Sequence, residues 1–392
     1  MSQDVVIASI ARTPLGNLLG LLKNFSAPEL GAAAIKAAVE RAHLSPDDIE
    51  EVIMGCVLTA GLGQAPARQA ALLATLPASV PCTTVNKMCG SGMKAVIFAH
   101  DGIIAGSNSL YVAGGMESMT NAPYLIPKAR QGYRLGHDVL LDHMMYDGLE
   151  DAYDKGRPMG YFAEQCAKEY GFTREQQDAF AMTSLERAQR AIAEKSFSQE
   201  IVPLILPTGN TTIIDDERPL LVKREKIPLL KPAFVKENGT VTAANSSSIS
   251  DGAAAIVLMS AAKAKHHQIK PLARIIGHAS FAKDPSQFTT APIQAIQKLL
   301  DKIKWQINDV DLFEINEAFA VVVLAAMQDL KIPHEKLNIH GGGCALGHPI
   351  GASGTRILVT LIAALKKQGL KRGIASLCIA GGEATAIAVE ID

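Results

Sequence analysis

The 392-residue chain repeats itself, and that repeat limits its fold more than any other feature. SPDDIEEVIMG, from Ser45, resembles INDVDLFEIN, from Ile307: an acidic helix-end turn, then an apolar strand. CGSGMKAVIFA, from Cys89, resembles GASGTRILVTLIAAL, from Gly351: a small-residue turn opening a helix. SLYVAGGMES, from Ser109, resembles SLCIAGGEAT, from Ser376: a strand ending in Ala-Gly-Gly. The three matches keep one order and one spacing, about 261 to 267 positions, which chance does not readily supply. Two duplicated α/β halves follow. A first strand at residues 5–9, helical patterns at 28–43 and 291–303, and apolar strands between them predict mainly parallel sheets buried on both faces.

The stretch 119–245 has no counterpart in the repeat. It opens on a Pro/Tyr/basic loop, NAPYLIPKARQGYRLG, and passes through helical patterns at 159–170 and 173–195. Thr173 is placed to cap the second, with Gln176 three residues on. It closes on a Pro-rich basic run, RPLLVKREKIPLLKP. The domain reading is therefore residues 1–118 rejoined by about 246–270, an inserted loop or lid domain at 119–245, and a second half at 271–392. Long insertions on a rigid α/β frame commonly carry specificity and oligomer contacts.

Charge excludes some partners. Lys+Arg is 38 and Asp+Glu is 39, with no basic block, so neither nucleic acid nor a membrane surface is expected as a partner. The start, MSQDVVIASIARTP, has no basic segment followed by a long apolar run, so no leader and no membrane span are expected. The six cysteines, 56, 82, 89, 166, 344 and 378, form no Cys-x-x-Cys pair. No metal site is expected from them, and a reducing, cytoplasmic compartment is.

Four residues stand where chemistry is done. Cys89, in VNKMCGSGMKAV, precedes a helix expected to run to Ala105, where unpaired N–H groups and the helix dipole favour a thiolate; a buried structural cysteine is the other reading. His348, in GGGCALGHPIGASG, lies in a loop too glycine-rich for regular structure and suits a proton shuttle; a turn histidine capping the next helix is the alternative. Asn316 follows the strand Leu312–Ile315, with a helix expected from Glu317, and stands at the carboxyl edge where ligands of α/β sheets sit; an N-cap role is the alternative. Cys378 lies in the strand that mirrors 111–114, an inert buried position unless the repeat brings it to the same edge.

Taken together, VNKMCGSG, NEAF, GHPIGASG and the Cys-x-x-Gly-Gly near the C-terminus resemble the thiolase family, over nearly the whole chain. The resemblance is nearest to the acetyl-CoA C-acetyltransferase branch. It implies a thiolase-like fold: two α/β halves stacked as a layered αβαβα core with a long inserted loop domain. It also implies a reversible Claisen condensation of two acetyl-CoA to acetoacetyl-CoA and CoA, by a ping-pong route through acetyl-Cys89. Under the same resemblance His348 is the activating base, Cys378 handles the α-proton, and Asn316 fixes a water in one oxyanion hole. The backbone N–H groups of Cys89 and Ala380 form the other. Ser247 meets the pantetheine amide, and Leu149, Met159, Phe234, Ala318 and Phe319 wall the acyl and pantetheine slot, although Phe234 also reads as plain core. No tightly bound cofactor and a homotetramer made of two dimers complete the expectation.

Three positions depart from the family pattern. Ala380 replaces a glycine in the terminal motif, Pro158 stands where a histidine is usual, and Phe288 stands where a methionine often lies beside the acyl group. Relatives that respond to potassium also carry Phe there, so a monovalent cation site is among the implications. Lys223, Arg224 and Lys226 offer three cations in four positions for the CoA phosphates. A degradative 3-ketoacyl-CoA thiolase of longer or branched substrates would use the same four residues. A β-ketoacyl synthase would carry a histidine at 316 and lack the second cysteine, and a lipid carrier without turnover would not need the four residues intact.

Overall fold

The computed structural model describes residues 4–206, 209 and 211–391; the outer ends of the two expected halves, residues 1–3 and 392, and residues 207, 208 and 210 of the insertion lie outside them. The first half runs β1 (Val5–Arg12), β2 (Gly16–Asn17), α1 (Ala27–Arg41), β3 (Glu51–Gly55), α2 (Pro66–Leu73), β4 (Cys82–Val85), α3 (Ser91–Ala105) and β5 (Leu110–Ser118). Within 119–245 follow β6 (Tyr124–Leu125), β7 (Leu141–Asp142), α4 (Met159–Tyr170), α5 (Arg174–Ala193), β8 (Leu204–Ile205), β9 (Thr212–Ile213) and α6 (Glu217–Leu221). The chain then forms β10 (Ser250–Ser260), α7 (Ala261–His266), β11 (Ala273–Ala282), α8 (Ala291–Ile303), β12 (Leu312–Ile315) and α9 (Ala320–Leu330). It ends with α10 (Gly343–Leu346), α11 (Ile350–Gln368), β13 (Arg372–Ile379) and β14 (Glu383–Glu390).

One continuous sheet in the order β12-β13-β14-β11-β1-β10-β5-β3-β4 carries both halves, with β2 added to β10. They join where β1 and β11 pair antiparallel, Val6 opposite Arg274 and Ile7 opposite Ala273. Each half is a layer on α3 and α11, which share one apolar core, while α1 and α2 cover the far face of the first half and α8 and α9 that of the second. Strand β10 shows why its residues are apolar throughout: Ala253, Ala255, Val257 and Met259 face the outer core, and Ala254, Ile256 and Leu258 face the inner one. In β1 the parity changes from Ile7 to Ile10 because a bulge lies between Ile7 and Ser9.

Several pairings correct the sequence reading. Only β3–β4, β3–β5 and β12–β13 are parallel; the other pairings of the large sheet are antiparallel. The cause is local in the second half, where Gly381 and Gly382, at φ 92° and 86°, fold β14 back on β13 as a hairpin. In the first half β10 returns after the insertion and pairs antiparallel with both β1 and β5. The Ala-Gly-Gly match is also out of register. Glu51 pairs with Tyr111 and Leu312 with Gly373, so Tyr111 corresponds to Gly373 and Cys378 to Met116. Gly114 and Gly115 run on as strand, whereas Gly381 and Gly382 turn. The expected helix from Glu317 begins instead at Ala320 with Phe319 as its N-cap, so Asn316 caps nothing. Helices α4 and α8 occupy the expected spans, and Thr173 and Gln176 form the expected capping box.

The segment 119–245 is tied down by a buried ion cluster. Arg12, at the end of β1, donates to Glu200 at 2.6 Å and to both oxygens of Asp216 at 2.7 and 2.9 Å, all fully enclosed. Burial works against the guanidinium charge, but the two carboxylates outweigh it and hold its pKa above the ordinary value. Removing one partner of such a cluster strands the others without water. Arg12→Ala is therefore expected to lower the unfolding free energy by about 3–5 kcal/mol, read by denaturant melts. A loss below about 1 kcal/mol would show that Asp216 and Glu200 find other partners.

Candidate active site

The two inner helices deliver the site. Their first turns cross at glycines: a Cβ on Gly92 would lie 2.7 Å from Thr355 Oγ1, and one on Gly354 would lie 2.4 Å from the backbone nitrogen of Met93. Close crossing brings the loop before α3 and the loop before α11 to one cavity. That cavity, of about 580 Å³, is lined by Cys89, His348, Cys378 and Ala380. Its walls include Leu149, Met159, Phe234, Phe288, Ala318 and Phe319, together with Pro158 and Ser247, so all the expected wall residues meet there. Asn316 does not line it; it lies behind His348, with Nδ2 3.4–3.5 Å from the ring nitrogens and Oδ1 buried without a protein partner.

Local structure holds each group. Met88, just before Cys89, sits at φ 47°, a conformation costly for a side chain of its kind. Ser91 braces the turn, its hydroxyl donating to Met88 O at 2.6 Å and accepting from Lys87 N at 2.8 Å. Lys87 also pairs with Glu383 across the two halves. His348 donates its backbone N–H to Ser248 O at 3.1 Å. Ser247 N–H donates to Ala318 O at 2.9 Å, which seats two walls against each other. Phe234 and Phe319 pack edge to face at 6.0 Å, as do Phe162 and Phe288 at 6.4 Å.

Sequence reading overlooked Ser353, although it lies within GHPIGASG. Its hydroxyl donates to Pro349 O at 2.8 Å and stands 2.5 Å from Nδ1 of His348. A hydroxyl that has spent its proton can only accept, so Nδ1 carries the imidazole hydrogen and Nε2 keeps the free lone pair. Glu117 was overlooked too. It is buried, its carboxyl is pushed up to about 7 by burial, and it accepts from the N–H groups of Val57, Leu58 and Gly351 at 3.1, 3.1 and 2.8 Å. It thus clips the first turn of α11 to the loop after β3.

The electrostatics correct the expected thiolate. Burial pushes the Cys89 thiol up to about 11, beyond what the backbone N–H groups of Ala380 and Cys89 itself recover. Burial, then the field of Arg356, lowers His348 to about 3. Burial also raises Cys378 well above the ordinary thiol range, with the neighbouring Cys89 adding to it. The resting site therefore holds two thiols and a neutral imidazole. Ala380 fits without strain: positive φ falls on Gly381 and Gly382, so the replaced glycine is not missed, and the N–H of Ala380 points to Cys89.

A second concavity, of about 250 Å³, adjoins the first through Arg218, Leu221, Val222 and Ala243. Lys223 and Lys226 line it. Arg224 does not, and pairs instead with Glu186. Arg218 lines both concavities while donating to the carbonyls of Cys344 and Ala243 at 3.1 Å each.

Comparisons agree over the full length. The family model for the thiolase N-terminal domain matches residues 5–262 and that for the thiolase C-terminal domain residues 269–391. The chain is 49% identical to an acetyl-CoA acetyltransferase of Schizosaccharomyces pombe, covering 100% of this chain and 99% of that one. It is 50% identical to an acetyl-CoA acetyltransferase of Cupriavidus necator, covering 99% of each. The crystal structure of Acat5 thiolase from Ascaris suum in complex with coenzyme A superposes with a TM-score of 0.95 at 42% identity, covering 100% of both chains.

A thiol pushed to about 11 is almost wholly protonated at neutral pH. Alkylation of Cys89 by iodoacetamide, followed by intact mass, is expected to accelerate about tenfold per pH unit from pH 6 to pH 9. A plateau beginning below pH 8 would mean that the empty site already holds a thiolate.

Proposed function

The chain belongs to the thiolase family, and on that premise we propose that it is an acetyl-CoA C-acetyltransferase. Its reaction is the reversible condensation of two acetyl-CoA to acetoacetyl-CoA and CoA through acetyl-Cys89. The observation that carries this reading is the meeting of Cys89, His348 and Cys378 in the lining of one apolar cavity. With neutral partners, attack and proton transfer are coupled. The Cys89 sulfur bonds to the acetyl carbonyl as its proton passes to Nε2 of His348. The departing CoA sulfur takes the proton of the Cys378 thiol. CoA leaves, and the charge now rests as imidazolium and Cys378 thiolate.

In the second half-reaction the Cys378 thiolate removes a proton from the methyl group of the incoming acetyl-CoA. The new carbon–carbon bond forms at the acetyl-Cys89 carbonyl while the bond to sulfur breaks, and His348 returns its proton to the Cys89 thiolate. The N–H groups of Cys89 and Ala380 face the oxygen of the first tetrahedral intermediate, and Asn316 with its unpaired Oδ1 is suited to hold a water for the enolate oxygen. Preorganised donors of this kind each contribute about 3 kcal/mol. The ring of Phe288 at the acyl end supports short acyl groups over the longer substrates of a degradative enzyme.

The same reading assigns Ser247 and the apolar walls to the pantetheine arm and the second concavity to the nucleotide end. Lys223 and Lys226 then serve the phosphates, while Arg224 is engaged with Glu186. A homotetramer is supported by the loop between β6 and β7, where Ile126, Leu135, Val139 and Leu140 stand exposed, Leu135 entirely so. A cytoplasmic setting is supported by six cysteines that are all unpaired. No helix among the described residues is long and apolar enough to cross a membrane. Activation by potassium remains part of the proposal and is read by exchanging potassium for sodium in the assay.

Acetyl-CoA is expected to leave a single acetyl group on Cys89, seen by intact mass and peptide mapping. Cys89→Ser removes the adduct and nearly all turnover. Cys378→Ser keeps the adduct but condenses at least about a hundredfold more slowly. An adduct on another residue, or wild-type condensation by Cys378→Ser, overturns the assignment. For the nucleotide end, Lys223→Ala with Lys226→Ala is expected to raise KM for CoA in thiolysis while kcat holds, more so at low salt. Acetyl-pantetheine, lacking the phosphates, is expected to be indifferent; equal losses with both substrates would reject the phosphate role.

A further inference from the structure

We propose that His100, Asp101 and His278 form a binding site for a divalent transition-metal ion, pinning helix α3 of the first half to strand β11 of the second. Nothing in the condensation uses these residues. Two of them are neighbours on α3 and the third comes from the middle of β11. Their ligand atoms, one per residue, all lie within 4.8 Å of one another. A single oxygen, Oδ1 of Asp101, stands 3.0 Å from Nδ1 of His100 and 2.8 Å from Nε2 of His278. The two rings meet edge to face, with centroids 5.0 Å apart.

The spacing bears on which ion fits. Donors about 2.0–2.1 Å from one ion lie about 2.9 Å apart at a right angle and about 3.4 Å apart at the tetrahedral angle. Both carboxylate–imidazole separations match the right-angled value, so the set suits a tetragonal or octahedral ion with water on the remaining positions. Two imidazoles and one carboxylate exclude magnesium and calcium, which take oxygen. Both imidazole side chains are mostly covered, at 15% and 16% exposure, while Asp101 at 51% leaves an entry from solvent. The opposing field is also plain: Lys302 donates to His278 O at 3.2 Å, and Lys94 lies within reach of Asp101. These two cations weaken the hold on a positive ion.

The test uses the full-length, untagged protein with Ni²⁺ or Co²⁺ alone. Equilibrium dialysis is expected to give one ion per chain. Bound Co²⁺ is expected to show a visible d–d band without the near-ultraviolet charge-transfer band of a thiolate ligand, which separates this site from Cys89 and Cys378. Saturating Ni²⁺ is expected to raise the unfolding midpoint by about 2–4 °C. His278→Ala is expected to lose the ion, the band and the midpoint shift while keeping turnover. Asp101→Ala, at a half-exposed position that does not threaten folding, is expected to lose them too. A thiolate charge-transfer band that survives in both variants would place the metal on cysteine and overturn the proposal. So would the absence of stoichiometric binding, which would leave the three residues as a hydrogen-bonded cluster.

Discussion

The structure depends on how closely two helices pass between the two halves of the large sheet. Helices α3 and α11 cross at Gly92 and Gly354, where any side chain would meet backbone or Thr355. Packing of this density leaves no room for a compromise distance. The consequence is directional, because both helices meet by their first turns, so the loops that precede them converge. Cys89 and His348 reach one cavity because of that crossing, not because either loop is shaped for the other. Glu117 reinforces it from below by accepting from Gly351 N–H and from the loop after β3. A shift of either helix would therefore be felt at Cys89 before it was felt in the core.

The same enclosure sets the protonation states. Enclosure between the halves disfavours a thiolate and an imidazolium, and burial is the leading cause of the shifts of Cys89, His348 and Cys378 alike. Beyond His348 the interior is far from apolar. Arg356 is fully buried with Glu314 3.9 Å away, and burial raises Glu314 to about 8. Burial also raises Glu317 and Glu200. Glu200 and Asp216 pair with Arg12, so the charges of that cluster are met within it. What reaches His348 is the positive field of Arg356, which further disfavours the imidazolium.

Much of this was legible in the sequence, for reasons that differ by residue. Helices α4, α5 and α8 were readable because periodicity and caps are local, as Thr173 with Gln176 shows. Cys89 and His348 stood out because glycine-rich turns before helices are scarce and conspicuous. Strand direction was not readable, since a buried strand is apolar whether its neighbour runs with it or against it. The thiol's protonation was misread because a helix N-terminus is visible in sequence and the walls that bury it are not. Ser353 lay inside a quoted motif, but a serine in a helix announces no partner; only the Pro349 carbonyl and the Nδ1 position give it a role. Of three adjacent cations, the sequence could not tell that Glu186 would take Arg224.

The repeat explains the frame, and its failures explain the chemistry. Register equates Cys378 with Met116, and each faces the outer core of its own half. Two residues on, the halves part. In the first, β5 continues through Glu117 and Ser118 beside β10. In the second, β13 stops at Ile379 and the chain turns at Gly381 and Gly382. That early stop frees the N–H of Ala380 from the sheet ladder and points it at Cys89. Had the second half copied the first, residue 380 would match Ser118 and stand in a strand opposite a partner strand. A symmetric frame can bring two loops together, but a donor aimed at Cys89 requires that one strand end where its twin goes on.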